Sequence, residues 1–110
     1  MSRTHEIKCW PEPFAAVLAG TKRYEIRKDD RGYAVGDEMV LKEWEPHSDV
    51  RNDEGTYGYN TGRTLTVRVT YLTPGGAWGL PADLCVMSIE PMPSERERYY
   101  DVARESETTP

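Results

Sequence analysis

Hydrophobic and polar residues alternate along much of this chain, with one early interruption of helical period. His5-Glu6-Ile7-Lys8-Cys9-Trp10 places Ile7 and Cys9 on one face, which predicts a short strand. Pro11-Glu12-Pro13 follows, and Phe14, Val17 and Leu18 fall at i, i+3 and i+4. That spacing predicts a short helix from about Pro13 to Ala19, with proline tolerated in its first turn and Gly20 ending it. Arg23 to Arg27 alternates again, Tyr24 and Ile26 on one face, Arg23, Glu25 and Arg27 on the other. Asp29-Asp30-Arg31-Gly32 and Gly36-Asp37 are turn signals. Met39 to Trp44, Thr64 to Leu72 and Leu84 to Glu90 read as further strands, the middle one with Leu65, Val67, Val69 and Tyr71 on one face. Pro46 to Gly62 reads as a long polar loop, and Thr73 to Pro81 as a Gly/Pro loop bearing Trp78.

Five short strands and one early helix predict an α+β, mainly β fold. The expected form is a small closed or half-closed barrel, since closure removes vulnerable sheet edges. The expected domain spans 1–93, followed by a charged C-terminal tail, 94–110, partly helical or frayed.

Composition narrows the class. A chain of 110 residues fits one domain, and three Trp and seven Tyr argue against global disorder. Cys9 and Cys85 lie far apart with no metal-ligand spacing, so both read as reduced core thiols. His5 and His47 form no metal set, even with Asp49 and Asp53 near His47, and no P-loop or Rossmann glycine pattern is present. No metal or cofactor is expected. No apolar run reaches membrane-spanning length and the first residues lack a signal-like apolar region, so a reducing cytoplasm is the expected location.

The formal net charge of −5 disfavours a nucleic-acid partner for the surface as a whole. The charge is uneven, however. Lys22, Arg23, Arg27, Lys28 and Arg31 stand against Glu25, Asp29 and Asp30, whereas the chain from Pro91 onward carries three arginines against five carboxylates.

The densest candidate chemistry is Gly20-Thr21-Lys22-Arg23-Tyr24-Glu25-Ile26-Arg27. Arg27 offers a planar fork for phosphate or carboxylate, and Lys22 a compact charge or, if desolvated, a base. Glu25 can orient either, accept a base amino group, or act as a general base. A salt-bridged strand face is the plainer reading of the same spacing. Tyr57, Tyr59 and Arg63 form a second candidate group, aromatics that stack on bases beside a phosphate-binding cation. Trp78 is a candidate lid, while Trp10 and Trp44 read as core or barrel rim.

Leu18-Ala19-Gly20-Thr21-Lys22-Arg23-Tyr24-Glu25-Ile26-Arg27, followed by Val35-Gly36-Asp37, resembles the signature of the ASCH domain, a PUA-like fold. His5 to Lys8, Phe14 to Leu18, Tyr59 to Arg63 and Val67 to Leu72 extend the likeness to an uncharacterised ASCH-like family of phages and bacteria. The resemblance covers Thr4 to about Ile89. It implies a PUA-like barrel with a cleft beside the motif, and RNA binding. Some similar proteins hydrolyse an acetylated cytidine and some are reported to cut RNA. The amidohydrolase type has a lysine at the position of Lys22, a threonine where this chain has Glu25, and a later glutamate that Glu90 matches only by order.

Three functions follow as expectations. The first is an RNA- or nucleotide-binding module, with Lys22, Arg27 and Arg63 on phosphate, Glu25 on a base edge, and Tyr59 or Trp78 stacking. The second is a hydrolase of a modified nucleoside or RNA in which Lys22 and Glu25 share proton transfer. The third is a phage-type interaction factor that meets a protein partner through the acidic tail.

Overall fold

The structure is a computed structural model that describes residues 2–46 and 58–92. Its elements are β1 (Thr4–Cys9), α1 (Pro11–Leu18), β2 (Tyr24–Lys28), β3 (Glu38–Glu45), β4 (Tyr59–Thr73) and β5 (Leu84–Pro91), with a 3-10 turn at Ala77–Gly79 before β5. The strands form one sheet in the order β1-β3-β4-β5-β2. β1 runs parallel to β3, and the other neighbouring pairs are antiparallel. A parallel pair needs a crossover connection, and α1 with β2 supplies it.

The sheet curls into a half-barrel, so its two edge strands, β1 and β2, face each other across a seam. Side chains bridge that seam. Arg27 Nη2 donates to the Lys8 carbonyl at 2.8 Å and Arg31 Nη1 to the Glu6 carbonyl at 2.7 Å. Arg3 Nη2 donates to the carbonyls of Arg31 and Gly32. Edge carbonyls that would invite another strand are thereby occupied.

The core is the inner face of the curl. Ile7 and Cys9 of β1, Met39 and Leu41 of β3, Leu65, Val67 and Val69 of β4, and Cys85, Met87 and Ile89 of β5 are buried around Phe14 and Val17 of α1. Both cysteines are free and buried, as their apolar settings predict.

The helix begins at Pro11 rather than Pro13. Neither proline is disfavoured there, because the first N–H groups of a helix have no intrahelical acceptor. After α1, Gly20 takes φ 79°. Thr21 and Lys22 both return their N–H groups to the Ala16 carbonyl, at 3.1 and 3.0 Å. That left-handed turn, natural to glycine, delivers Lys22 to the start of β2.

Two sequence expectations are corrected in β4. The strand starts at Tyr59, not Thr64, so Tyr59 to Arg63 belong to the sheet and pair with the end of β3 rather than forming part of a loop. His47, Asp49, Asp53 and Tyr57 lie outside the described residues, as does the tail 94–110. A register shift between Val69 and Tyr71 breaks the expected alternation. Tyr71 is turned outward, 66% exposed, and Leu72 packs against the core instead.

Val35-Gly36-Asp37 serves the fold. Asp37, 2% exposed, accepts hydrogen bonds from the Arg3 N–H at 3.0 Å, His5 Nε2 at 2.9 Å and the Ala34 N–H at 3.1 Å. The His5 ring meets Tyr33 edge-on at 4.7 Å. Burial alone would raise the Asp37 carboxyl; the hydrogen bonds from Arg3, His5 and Ala34 outweigh it and hold the pKa below its ordinary value. Among the described residues, no helix is long and apolar enough to cross a membrane.

Candidate functional site

Alternation puts Tyr24 and Ile26 on one face of β2 and Glu25 and Arg27 on the other, and apolar character by itself would turn the first pair inward. The structure has the reverse. Tyr24 and Ile26 are 46% and 50% exposed, while Glu25 is only 3% exposed. Glu25 and Arg27 stand in register with Met87 and Cys85 of β5, whose side chains belong to the core face. β2 therefore turns Glu25 and Arg27 toward the half-barrel, while Lys28 is exposed.

A buried carboxylate is tolerated when each oxygen finds a partner. Lys22 Nζ donates to Glu25 Oε1 at 2.6 Å, and Arg27 Nε donates to Oε2 at 3.1 Å. Lys22 Nζ also donates to the Tyr24 carbonyl at 2.8 Å and lies 4.9 Å from the Tyr24 ring centroid. The two cations are more open than the carboxylate between them, 19% and 28% exposed. Two positive groups around one negative leave a single net positive charge at the surface of a buried pair. Among the described residues, the hydrogen bonds of Arg27 engage Nε and Nη2, which leaves its Nη1 edge for an incoming oxyanion.

Beside this triad lies a cleft of about 430 Å³ between β1, the start of α1 and β2. Lys8, Cys9, Trp10, Pro13, Lys22, Tyr24, Glu25, Ile26 and Arg27 line it. Trp10, 56% exposed, and Tyr24 supply aromatic faces at its rim. Cys9 records the electrostatics of the place. Burial, then the Glu25 carboxylate, push its thiol up to about 11, against the lowering pull of Arg27 and Lys22.

Of the six sequence-predicted site residues, Lys22, Glu25 and Arg27 come together in this cleft. The other three do not line it. Arg63 Nη1 is 3.8 Å from Glu43 Oε2, and its guanidinium lies 5.2 Å from the Phe14 ring centroid. Tyr59 pairs with Glu45 across the β3–β4 ladder. Trp78, 96% exposed with φ 54°, stands on the turn that precedes β5, by the Lys28 end of β2 rather than the Lys22 end. Glu90 is exposed and sits opposite Arg68.

Trp10 and Glu43 are the residues that sequence reasoning did not select. The strand alternation already separates Trp10 from Ile7 and Cys9, so its outward position was available from the pattern. Glu43 continues the inward face of β3 after Met39 and Leu41 and is buried, with Thr61 Oγ1 donating to its Oε1 at 2.7 Å. Nothing in its local spacing marks it.

Comparison with known proteins adds the family. Residues 4–89 match the family described as "Domain of unknown function (DUF3850)". The chain is also similar to an "Uncharacterized 12.9 kDa protein in GpA 3'region" of Escherichia phage P2, 37% identical over 78 residues, which cover 71% of this chain. The match spans 62% of that phage protein's length. Since the family match runs from the first residue of β1 into β5, the chain belongs to the DUF3850 family.

Proposed function

We propose that the cleft around Lys22, Glu25 and Arg27 binds RNA or a nucleotide. The observation that carries this reading is the inversion of β2, which buries Glu25 between two cations and leaves Tyr24 at the rim of the same cleft. Such a buried ion pair adds little net stability over apolar residues of similar volume, so its presence calls for another role. In the bound state Arg27 and Lys22 hold phosphate and Glu25 orients them or accepts a base amino group. Trp10 and Tyr24 stack on a base, the part that the sequence alone suggests for Tyr59 and Trp78. The strand–helix–strand order and the Gly-x-Lys-x-x-Glu-x-Arg turn support a PUA-like relationship for this half-barrel, which is part of the same proposal.

One observation favours a second reading, hydrolysis of a modified nucleoside or RNA. Lys22 Nζ and Glu25 Oε1 stand at 2.6 Å, close enough to share a proton. The same titration separates the two. Short single-stranded RNAs, nucleotides and acetylated cytidine are added to the protein while Trp fluorescence follows binding and chromatography follows product. Saturable quenching lost in Arg27→Ala supports the binding site. Product that disappears in Lys22→Ala makes it an enzyme. A folded protein that binds no member of the panel would overturn both and leave the protein-partner reading, whose acidic tail lies outside the described residues.

A further inference from the structure

The binding cleft does not end at Arg27. Arg27 and Lys8 also line a second cleft, of about 490 Å³, farther along the β1–β2 seam. The seam bridges run from Arg27 to Lys8 and from Arg31 to Glu6, so the two edge strands pass each other antiparallel. The first cleft therefore occupies the Trp10 and Tyr24 end of the seam, the second the Glu6 and Arg31 end, and Lys8 with Arg27 joins them.

The two ends differ in chemistry. Trp10, Tyr24 and Ile26 give the first an exposed aromatic and apolar rim. Among the described residues lining it, the second gathers five cations, Lys8, Arg27, Lys28, Arg31 and Lys42, against two carboxylates, Glu6 and Asp30, and the pairing of Arg27 with Glu25 brings the excess to two positive charges. That excess stands on a chain whose formal net charge is −5. A positive concavity on an acidic protein concentrates anions locally and repels them elsewhere.

We infer that the whole seam is a track for single-stranded nucleic acid of more than one nucleotide, with a base held at the Trp10 end and the following phosphates running over Lys8, Lys28, Arg31 and Lys42. This rests on the nucleotide-binding reading above and extends it to an oligomer. From Trp10 to Glu6 the strand spans roughly 13 Å at ~3.3 Å per residue, longer than the ~3.4 Å that one stacked nucleotide advances. An aromatic platform joined to a cationic groove is the arrangement by which proteins hold single strands without reading sequence. The phosphodiester backbone is common to RNA and DNA, and the groove's charges address it in both.

The test is a length series. Mononucleotide, dinucleotide, trinucleotide and hexanucleotide, as RNA and as DNA, are titrated into the full chain at several salt concentrations. The same series is run with the double substitution Lys28→Gln and Lys42→Gln, neither of which touches Glu25. The wild type gains affinity with length in at least one of the two ladders. The double variant keeps mononucleotide affinity, loses that gain, and shows a hexanucleotide salt slope shallower by about 1.4, from ~0.7 for each of two phosphate neutralisations. Mononucleotide binding with no gain at greater length in either ladder would overturn the track and leave the cleft reading intact. A gain that the double variant fully retains would also overturn it. Absence of binding by mononucleotide and oligomer alike would overturn both.

Discussion

Arg27 Nη2 donates to the Lys8 carbonyl at 2.8 Å, so one side chain both bridges the open seam of the half-barrel and holds Glu25 through its Nε at 3.1 Å. Removing it leaves a carboxylate only 3% exposed with Lys22 as its remaining ion-pair partner among the described residues. Arg27→Ala is expected to lower stability by roughly 1.5–3 kcal/mol, the usual loss for a hydrogen bond to a charged group. Urea unfolding checks this. A double-mutant cycle with Glu25→Gln should return a coupling of about 0.5–3 kcal/mol, whereas additive losses would show that the pair does not act as one.

The cysteines should be slow to react. With its thiol pushed up to about 11, Cys9 carries about one thiolate per thousand thiols at pH 8. Burial raises Cys85 as well. Titration with a disulfide reagent at pH 8 should show both thiols protected in the folded protein and both released in denaturant. Fast reaction of Cys9 in the native state would contradict its placement.

Acid stability should depend on Asp37. Its folded-state pKa lies below the ordinary carboxylate value of ~3.9, so its contribution is full at neutral pH and fades as pH falls through the folded value. Asp37→Asn keeps the shape but turns a donor toward donors. It is expected to cost about 1–3 kcal/mol at pH 7, with the gap to wild type closing below about pH 4. Thermal unfolding across pH 3 to 7 measures both.

The tryptophans should separate by role. Trp10 lines the cleft, and Trp78 stands 96% exposed on a turn away from it. Trp10→Ala should weaken ligand binding by about 1–3 kcal/mol, the usual worth of one base–aromatic stack. Trp78→Ala should leave affinity unchanged, and isothermal titration of each variant distinguishes them. An affinity that depends on Trp78 instead would move the stacking role back to the loop.

Much of this was legible in the chain. Alternation located five strands because the inner positions of β1, β3 and β5 are apolar apart from His5 and Glu43, and the Gly20 turn marked where Lys22 enters β2. What alternation could not show is which face of β2 is inside. Tyr24 and Ile26 look like core residues, and only the pairing of β2 with β5 turns Glu25 inward. Tyr59 and Arg63 lie apart from the motif's cleft for a related reason. Both sit on β4, two strands from β2 in the sheet order, and Arg63 is drawn to Glu43, a carboxylate distant in sequence. The basic cleft was foreshadowed by the charge of Lys22 to Arg31, but Lys8 and Lys42 join it only through the parallel pairing of β1 with β3.

The role proposed for Arg27 is to hold phosphate in this cleft. Its most direct test is the affinity of a labelled single-stranded RNA measured against salt for wild type and Arg27→Ala, at a temperature where near-UV circular dichroism shows both folded. The variant is expected to bind more weakly, with a salt slope shallower by about 0.7, the share of a single neutralised phosphate. Unchanged affinity and slope in a folded Arg27→Ala would contradict it.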